Sequence, residues 1–378
     1  MGAAALAERV DALVAHVLQD ALGVVLHRTL LQAITQRLIH WQDAAPPDRP
    51  RRHDAVVRMW QRCYERALPR IVSLEEPFGV ICERLTAGLE EEERWTDAAR
   101  VLEKLVQHTA ARTTPSVAPD EDPRPGLYVH IARLYLEDGN FTLADHHLIS
   151  RGFQPRTTPR LITLQFRAAQ ARVLNFQRKF LMAAQKYYAL SLATDVAGGE
   201  RADCLRQSVV CTVLSPAGPQ RVRMLAKLWK DDRVRQLEGV GDGGVLAVLE
   251  RMYMDRILRP ADVAEFRESL LPHQRHGATT VSDPTVLDMA VIEHNVLSCR
   301  RIYQNISFTE LGRLLAISPG EAEEVAAQMI SEQRLQGAID QVEGYVYFHE
   351  NDPHQDWNAH IGALLSQIDE AATRVALA

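Results

Sequence analysis

The sequence predicts a mainly α protein: a long helical-repeat arm, a small C-terminal module with a little strand, and a last amphipathic helix. Three observations lead there. Good helix formers (Ala, Leu, Glu, Gln, Arg) dominate, and aromatics make up only 6% of the 378 residues. A pattern of aromatic, Ala and apolar residues recurs three times with the same offsets. After residue 282 the punctuation changes, with two helix caps in quick succession and an alternating apolar run beyond them.

A chain of 42.5 kDa exceeds one ordinary domain of about 100–200 residues, so two domains are expected. Apolar residues at 46% and charged residues at 24% suit a globular protein with a sizeable core, and they argue against collagen-like, disordered or all-β architectures. The formal net charge is −6, and its distribution says more than its size. Residues 281–350 hold eleven acids and four bases, and 351–378 add a further −3, which leaves the first 280 residues at +4. The body is mildly basic and the end acidic.

The start MGAAALAERV carries neither a myristoylation pattern, having Leu6 where Ser or Thr is required, nor an uncharged signal-peptide core. No uncharged apolar run reaches the roughly 18 residues of a membrane span. Cys63, Cys82, Cys204, Cys211 and Cys299 are odd in number and scattered, with no CxxC. Reduced thiols in a cytoplasmic or nuclear protein are therefore expected.

The arm opens with helical spacing through Leu6, Val10, Leu13, Val14 and Val17, and again through Leu30, Leu31, Ile34 and Leu38. DAAPPDRPRRHD (43–54) breaks the pattern, which resumes at Val56, Met59, Trp60 and Tyr64. TTPSVAPDEDPRPG (113–126) holds four prolines and reads as a surface loop within the arm. Around that loop lies the repeat: Trp95, Ala98 and Leu102; Phe141, Ala144 and Leu148; Phe180, Ala183 and Tyr187. Each set puts an aromatic, an Ala at +3 and an apolar residue at +7 on one helix face. Ala132-Arg133 and Ala171-Arg172 precede the last two sets by nine residues. Stacked helical hairpins of the TPR or HEAT kind fit this, the Ala letting two helices approach and the aromatic closing the open end. Helical spacing continues through Leu225, Leu228, Trp229, Leu246, Leu249 and Met252. The β-branched run VVCTVL (209–214) is read as a buried helix, because helices surround it and no partner strand is visible.

Beyond residue 282 a helix over 284–303 leads to Ser307-Phe-Thr-Glu310, a capping box, and then to Ser318-Pro-Gly-Glu321, a second one with Pro at the first helical position. The second helix turns Val325, Ala326, Met329 and Ile330 inward. AIDQVEGYVYF (338–348) reads as a strand, a Glu343-Gly344 turn and a second strand. Three helices followed by a two-stranded wing make a winged helix. The expected organisation is an arm over 1–281, a winged helix over 282–350, and a terminal helix over 351–378 presenting Trp357, Ile361, Leu364, Leu365 and Ile368.

Catalytic chemistry finds no support in this pattern. His146-His147 point about 100° apart on a helix, and His273-x-x-His276 lies beside Pro272 and Gly277 without an HExxH or similar ligand set. GVGDGG (239–244) lacks the Lys-Ser/Thr of a P-loop and reads as a turn between helices. No metal, no cofactor and no nucleophile is expected. The basic residues Arg221, Arg223, Lys227 and Lys230 are either a partner surface or a solvated helix face, with Asp231 and Asp232 interrupting the run to Arg233 and Arg235. The winged helix's second helix carries Glu321, Glu323, Glu324 and Glu332 against Arg334 alone. Such a helix repels phosphates, so protein contact is expected, with no nucleic acid and no membrane. The wing strand Tyr345, Val346, Tyr347 and Phe348 is the candidate for edge pairing with a neighbour.

A helical-repeat body running into a C-terminal winged helix resembles the PCI family, the scaffold subunits of the proteasome lid, the signalosome and translation initiation factor three. YVHIARLYLEDGNFTLAD (128–145), RVLNFQRKFLMAAQKYYALS (172–191), QRVRMLAKLWKDDR (220–233), LERMYMDRILR (249–259), AVIEHNVLSCRRIYQNISFTELGRLL (290–315) and AAQMISEQRLQGAIDQVEGYVYF (326–348) are similar to the signalosome branch of that family. The likeness is dense from about 80 to 350. It implies a non-catalytic scaffold and substrate-recognition subunit of a complex that removes a ubiquitin-like modifier from cullins, with the zinc metalloprotease in another subunit. Implied partners are the other PCI subunits, the metalloprotease pair and cullin–RING ligases, in cytoplasm and nucleus. A proteasome-lid PCI subunit and a nucleic-acid-binding PCI adaptor are the alternatives.

Overall fold

The computed structural model describes residues 3–18, 24–43, 50–112, 124–149, 159–237, 244–275 and 285–348, and then 357, 361, 362 and 364–368. The chain divides into two compact units between Gln177 and Arg178.

Among the described residues the first unit holds eight α-helices: α1 (Ala3–Val17), α2 (Val24–Asp43), α3 (Pro50–Ala67), α4 (Glu75–Glu91), α5 (Trp95–Arg112), α6 (Arg124–Glu137), α7 (Phe141–Ile149) and α8 (Arg160–Phe176). In this unit α4 packs on α5, α5 on α6 and α6 on α7, while α1 packs on α3 and α2 on α4. The repeat residues sit where the hairpin reading requires. Ala98 and Ala144 are fully buried, Leu102 and Leu148 are buried, and Trp95 and Phe141 are the first residues of their helices. Phe141 stacks on Phe176 with ring centroids 3.4 Å apart. Trp60, Phe78, Ile81 and Leu85 carry the core back through α3 and α4.

The second unit holds α9 (Phe180–Ser191), α10 (Gly198–Leu214), α11 (Pro219–Trp229), α12 (Asp232–Arg235), α13 (Val245–Tyr253), α14 (Ala264–Ser269), α15 (Pro272–Arg275) and α16 (Val286–Cys299), and then the winged helix. The run 209–214 is the last turn and a half of α10, and Val209, Val210, Cys211, Val213 and Leu214 are all buried. Phe180, Ala183 and Tyr187, the third repeat set, open α9 in this unit. The helices from 180 to 275 form one compact unit with the winged helix.

One turn recurs across both units. A residue at positive φ follows each of five helices (Glu93, Gly139, Asp255, Ala316 and Gln333). The next N–H then bonds five residues back: Arg94 to Leu89, Asn140 to Tyr135, Arg256 to Arg251, Ile317 to Gly312 and Arg334 to Met329, at 2.8 to 3.0 Å. This is the Schellman closure, which satisfies carbonyls a helix end otherwise leaves bare. Only one of the five uses Gly, so the other four sites carry the left-handed strain of an L residue.

The winged helix comprises β1 (Asn305–Ser307), α17 (Phe308–Leu315), α18 (Pro319–Ser331), β2 (Gly337–Asp340) and β3 (Tyr345–Phe348). The Ser318–Glu321 capping box forms in full, with the Glu321 carboxylate accepting from the Ser318 N–H at 2.8 Å. The Ser307 box forms only by half. Ser307 accepts from the Glu310 N–H, but the Glu310 carboxylate turns to Arg313 instead. The wing has three strands, not two, because Asn305–Ser307 pairs antiparallel with β3. Three residues between a helix end and a cap give no alternation to read, so this strand exists only through its partner. Residues 124–126, placed in the proline-rich loop by sequence, start α6, with Pro125 in the first turn where its missing N–H costs nothing. The remainder of that loop lies outside the described residues, as do His276 and residues 239–243.

Candidate assembly surfaces and a buried polar spine

The sheet order β1-β3-β2 puts Tyr345–Phe348 in the centre. The expectation that this strand offers a free edge is therefore wrong: both its sides are already paired, to Asn305–Ser307 and to Gly337–Asp340. The strand's alternation divides its residues. Val346 and Phe348 are core, packed with Ile306, Leu311 and Met329. Tyr345 and Tyr347 stand on the outer face, 36% and 37% exposed. The outermost strands are β1 and β2. Along β2 runs a shallow groove of about 510 Å3 lined by Ala338, Ile339, Asp340, Gln341 and Tyr347. Only a glycine fits at the start of β2, because a Cβ on Gly337 would lie 2.5 Å from the Tyr347 carbonyl oxygen.

Trp357, Ile361, Leu364, Leu365 and Ile368 are helical, and all five are exposed, from 45% to 69%. Their sequence spacings of three, four and seven are those of one face of a helix.

The basic cluster separates into unlike members. Arg221, expected on the surface, is buried at 2%. Its guanidinium donates to the Ser215 carbonyl at 3.0 Å and reaches the Ala290 carbonyl at 3.5 Å. Sequence spacing missed this because Arg221 falls on the same face of α11 as Met224, Leu225 and Leu228, all buried. Arg223, Lys227 and Lys230 are exposed as expected. Arg233 is taken up by Asp231 at 2.6 Å and by the Ser191 carbonyl at 2.7 Å.

Arg221 belongs to a polar network that no motif announced. Three consecutive residues of α16 face inward: Glu293, His294 and Asn295 are 7%, 3% and 3% exposed. Glu293 accepts from the Ala217 N–H at 2.8 Å and pairs with Arg334 at 2.6 Å. Arg334 also reaches Glu332 and the Ala217 carbonyl. Asn295 both accepts from the Leu258 N–H and donates to the Leu258 carbonyl, at 2.8 Å each way. His294 lies 3.0 Å from the Arg256 carbonyl, so Nε2 carries the proton. Burial first, then the Arg221 charge, pushes the imidazole down to about 4, against the hydrogen bond to Arg256. Burial likewise lowers Arg221 to about 10, with Glu293 opposing the shift. The helix α16 thus ties the loop after α10, the loop after α13 and the end of α18 to one element. The signal was present as Glu-His-Asn inside an otherwise apolar helix, a run that burial makes costly unless each group finds a partner.

Among the described residues no three His, Cys, Asp or Glu side chains are placed to share a metal ion. His146 and His147 meet edge to face at 5.6 Å, and His147 bonds Glu103 at 2.9 Å. All five cysteines are free thiols. Burial pushes Cys63 and Cys211 up to about 12 and Cys299 to about 11, away from the reactive thiolate. No helix among the described residues is long and apolar enough to cross a membrane. On α18, Glu321 and Glu324 are exposed and Glu323 is half-buried, which keeps the acidic surface the sequence anticipated.

Comparison with known proteins bears on the whole chain. Residues 282–350 match the PCI domain family, the same span as the expected winged helix. COP9 signalosome complex subunit 4 of Arabidopsis thaliana is 35% identical over 94% of this chain and 86% of its own length. The subunit of that name from Drosophila melanogaster is 38% identical over 83% of this chain and 74% of its own length. That of Dictyostelium discoideum is 35% identical over 93% and 84%. With identity at that level along nearly its entire length, and a PCI winged helix where those residues fall, the chain belongs to the COP9 signalosome complex subunit 4 family.

Proposed function

We propose that the chain is a non-catalytic scaffold and substrate-recognition subunit of the signalosome, the complex that removes a ubiquitin-like modifier from cullin subunits of cullin–RING ligases. Its family supports membership of that complex. The observation that carries the scaffold role is the terminal stripe, in which Trp357, Ile361, Leu364, Leu365 and Ile368 expose between 45% and 69% of their surface. Five large apolar side chains on one helical face are a liability in an isolated chain and suit a helix that joins a bundle with other subunits. The outer strand β2, with its groove, is the second contact element, and a neighbour's strand there gains main-chain hydrogen bonds. The arm takes the substrate side. In the first unit a groove of about 320 Å3 between α3, α4 and α5, lined by Tyr64, Arg94, Asp97, Arg100 and Lys104 among others, offers a polar contact for the cullin–RING end. The metalloprotease chemistry resides in another subunit, in cytoplasm and nucleus.

Affinity purification of the tagged chain with mass spectrometry is the test. Co-recovery of cullins with the other PCI subunits and a metalloprotease pair is expected. Recovery of proteasome-lid subunits instead, or of RNA-bound material alone, overturns the reading. Leu365→Glu, at an exposed position, is expected to leave the melting temperature of the isolated chain unchanged and to abolish co-purification. Full assembly of that variant removes the terminal helix from the proposal.

A further inference from the structure

On α11 and its C-cap, Arg223, Lys227 and Lys230 stand at i, i+4 and i+7, all exposed, forming one stripe about 10 Å long at 1.5 Å per residue. The helix PQRVRMLAKLW contains no acidic residue. Neighbouring cations are used internally: Arg221 is buried, Arg233 is paired with Asp231, and Arg235 lies within reach of Asp232. The three of the stripe have no carboxylate partner among the described residues. Like charges three and four apart destabilise a helix by a few tenths of a kcal/mol each, so the stripe is a standing cost to the fold that an external anion would reverse. The platform beneath is fixed, because Arg221, Met224, Leu225 and Leu228 bury the opposite face. Lys227 is itself positioned, its Nζ lying 4.1 Å from the Tyr188 ring centroid.

We infer that this stripe docks an acidic segment of a partner protein, with carboxylates spaced at one helical turn. Nucleic acid fits less well for two reasons. The adjacent aromatic faces are already covered, Tyr188 by Lys227 and Trp229 by Tyr253 and Arg235, so no ring is left on which bases can stack. The winged helix of the same unit carries the acidic surface of α18, which disfavours a long polyanion more than a short acidic segment. The inference deepens the scaffold reading by naming the chemistry of one partner contact, and its test does not require the complex.

The full-length chain is titrated with a fluorescein-labelled helical peptide bearing Glu at i, i+4 and i+7, with its Gln counterpart, and with single-stranded RNA of equal charge, across a salt series. The Glu peptide is expected to bind, to weaken steeply with salt, and to lose about tenfold in affinity in R223E/K227E/K230E, the scale of three exposed ion pairs. R223Q/K227Q/K230Q is expected to fall between, with an unchanged circular dichroism spectrum. Undetectable binding of the Glu peptide overturns the inference, as does equal binding by the wild type and the reversed variant. RNA bound more tightly than the peptide, and lost in the same variant, overturns it in favour of a nucleic-acid surface. Failure here leaves the co-purification result, and hence the scaffold reading, untouched.

Discussion

Replacing Glu293 by Gln changes one charge and almost no volume, at the point where the polar spine concentrates. The carboxylate sits 2.6 Å from Arg334 and accepts from the Ala217 N–H at 2.8 Å. It is also the main charge opposing the desolvation of Arg221, which is 2% exposed. Removing the partner of a buried ion pair costs about 3–5 kcal/mol, because the surviving charge stays buried. Two features pull the estimate to the lower end: the Gln carbonyl still accepts from Ala217, and Arg334 keeps Glu332 on its solvent side. The expected loss is therefore about 3 kcal/mol, which for a unit of this size lowers the melting temperature by about 6–12 °C. Calorimetry of the full chain reads the shift. Hydrogen exchange locates it, with protection lost over 286–299 and 305–348 and retained over 75–112. Arg334→Met supplies a double-mutant cycle, in which the paired variant is expected to lose at least about 1 kcal/mol less than the two singles together. A shift under about 1 °C in Glu293→Gln, with unchanged exchange, refutes the view that this carboxylate holds the winged helix to the helices before it.

Two further outcomes are expected. The folded pKa of His294 is about 4 against an ordinary 6.5, so the unfolded chain binds the proton first, and stability falls as pH drops from about 6.5 toward 4, by about 3 kcal/mol at most. Urea midpoints of wild type and His294→Gln should converge as pH falls through that window; a difference constant with pH refutes the assignment. In the first unit, Glu93→Gly relieves a left-handed residue at φ 57 and is expected to stabilise by about 0.5–1 kcal/mol, while Gly139→Ala, at φ 80 in the equivalent turn, destabilises by about 1 kcal/mol. Thermal shifts of the same sign in both variants dispose of the shared-turn argument.

The sequence by itself determined the helical arm, the repeat, the winged helix and the acidic helix α18. Each of these is local: an Ala three residues after an aromatic, a Ser three before a Glu, or an apolar residue every third or fourth position fixes a helix face with no knowledge of distant partners. Tertiary structure decided whatever depends on which elements become neighbours. Tyr345–Phe348 has the alternation of any half-buried strand, and only the return of Asn305–Ser307 from forty residues earlier makes it central instead of an edge. Arg221 and Arg223 are two residues apart and chemically alike. One is buried and the other free because helical rotation turns Arg221 toward the Ser215 and Ala290 carbonyls. Glu293 and Arg334 meet across forty-one positions. A charge tolerates burial only beside its opposite or a hydrogen-bonding group, and such a partner is supplied by the packed fold, not by the residues next to it in the chain.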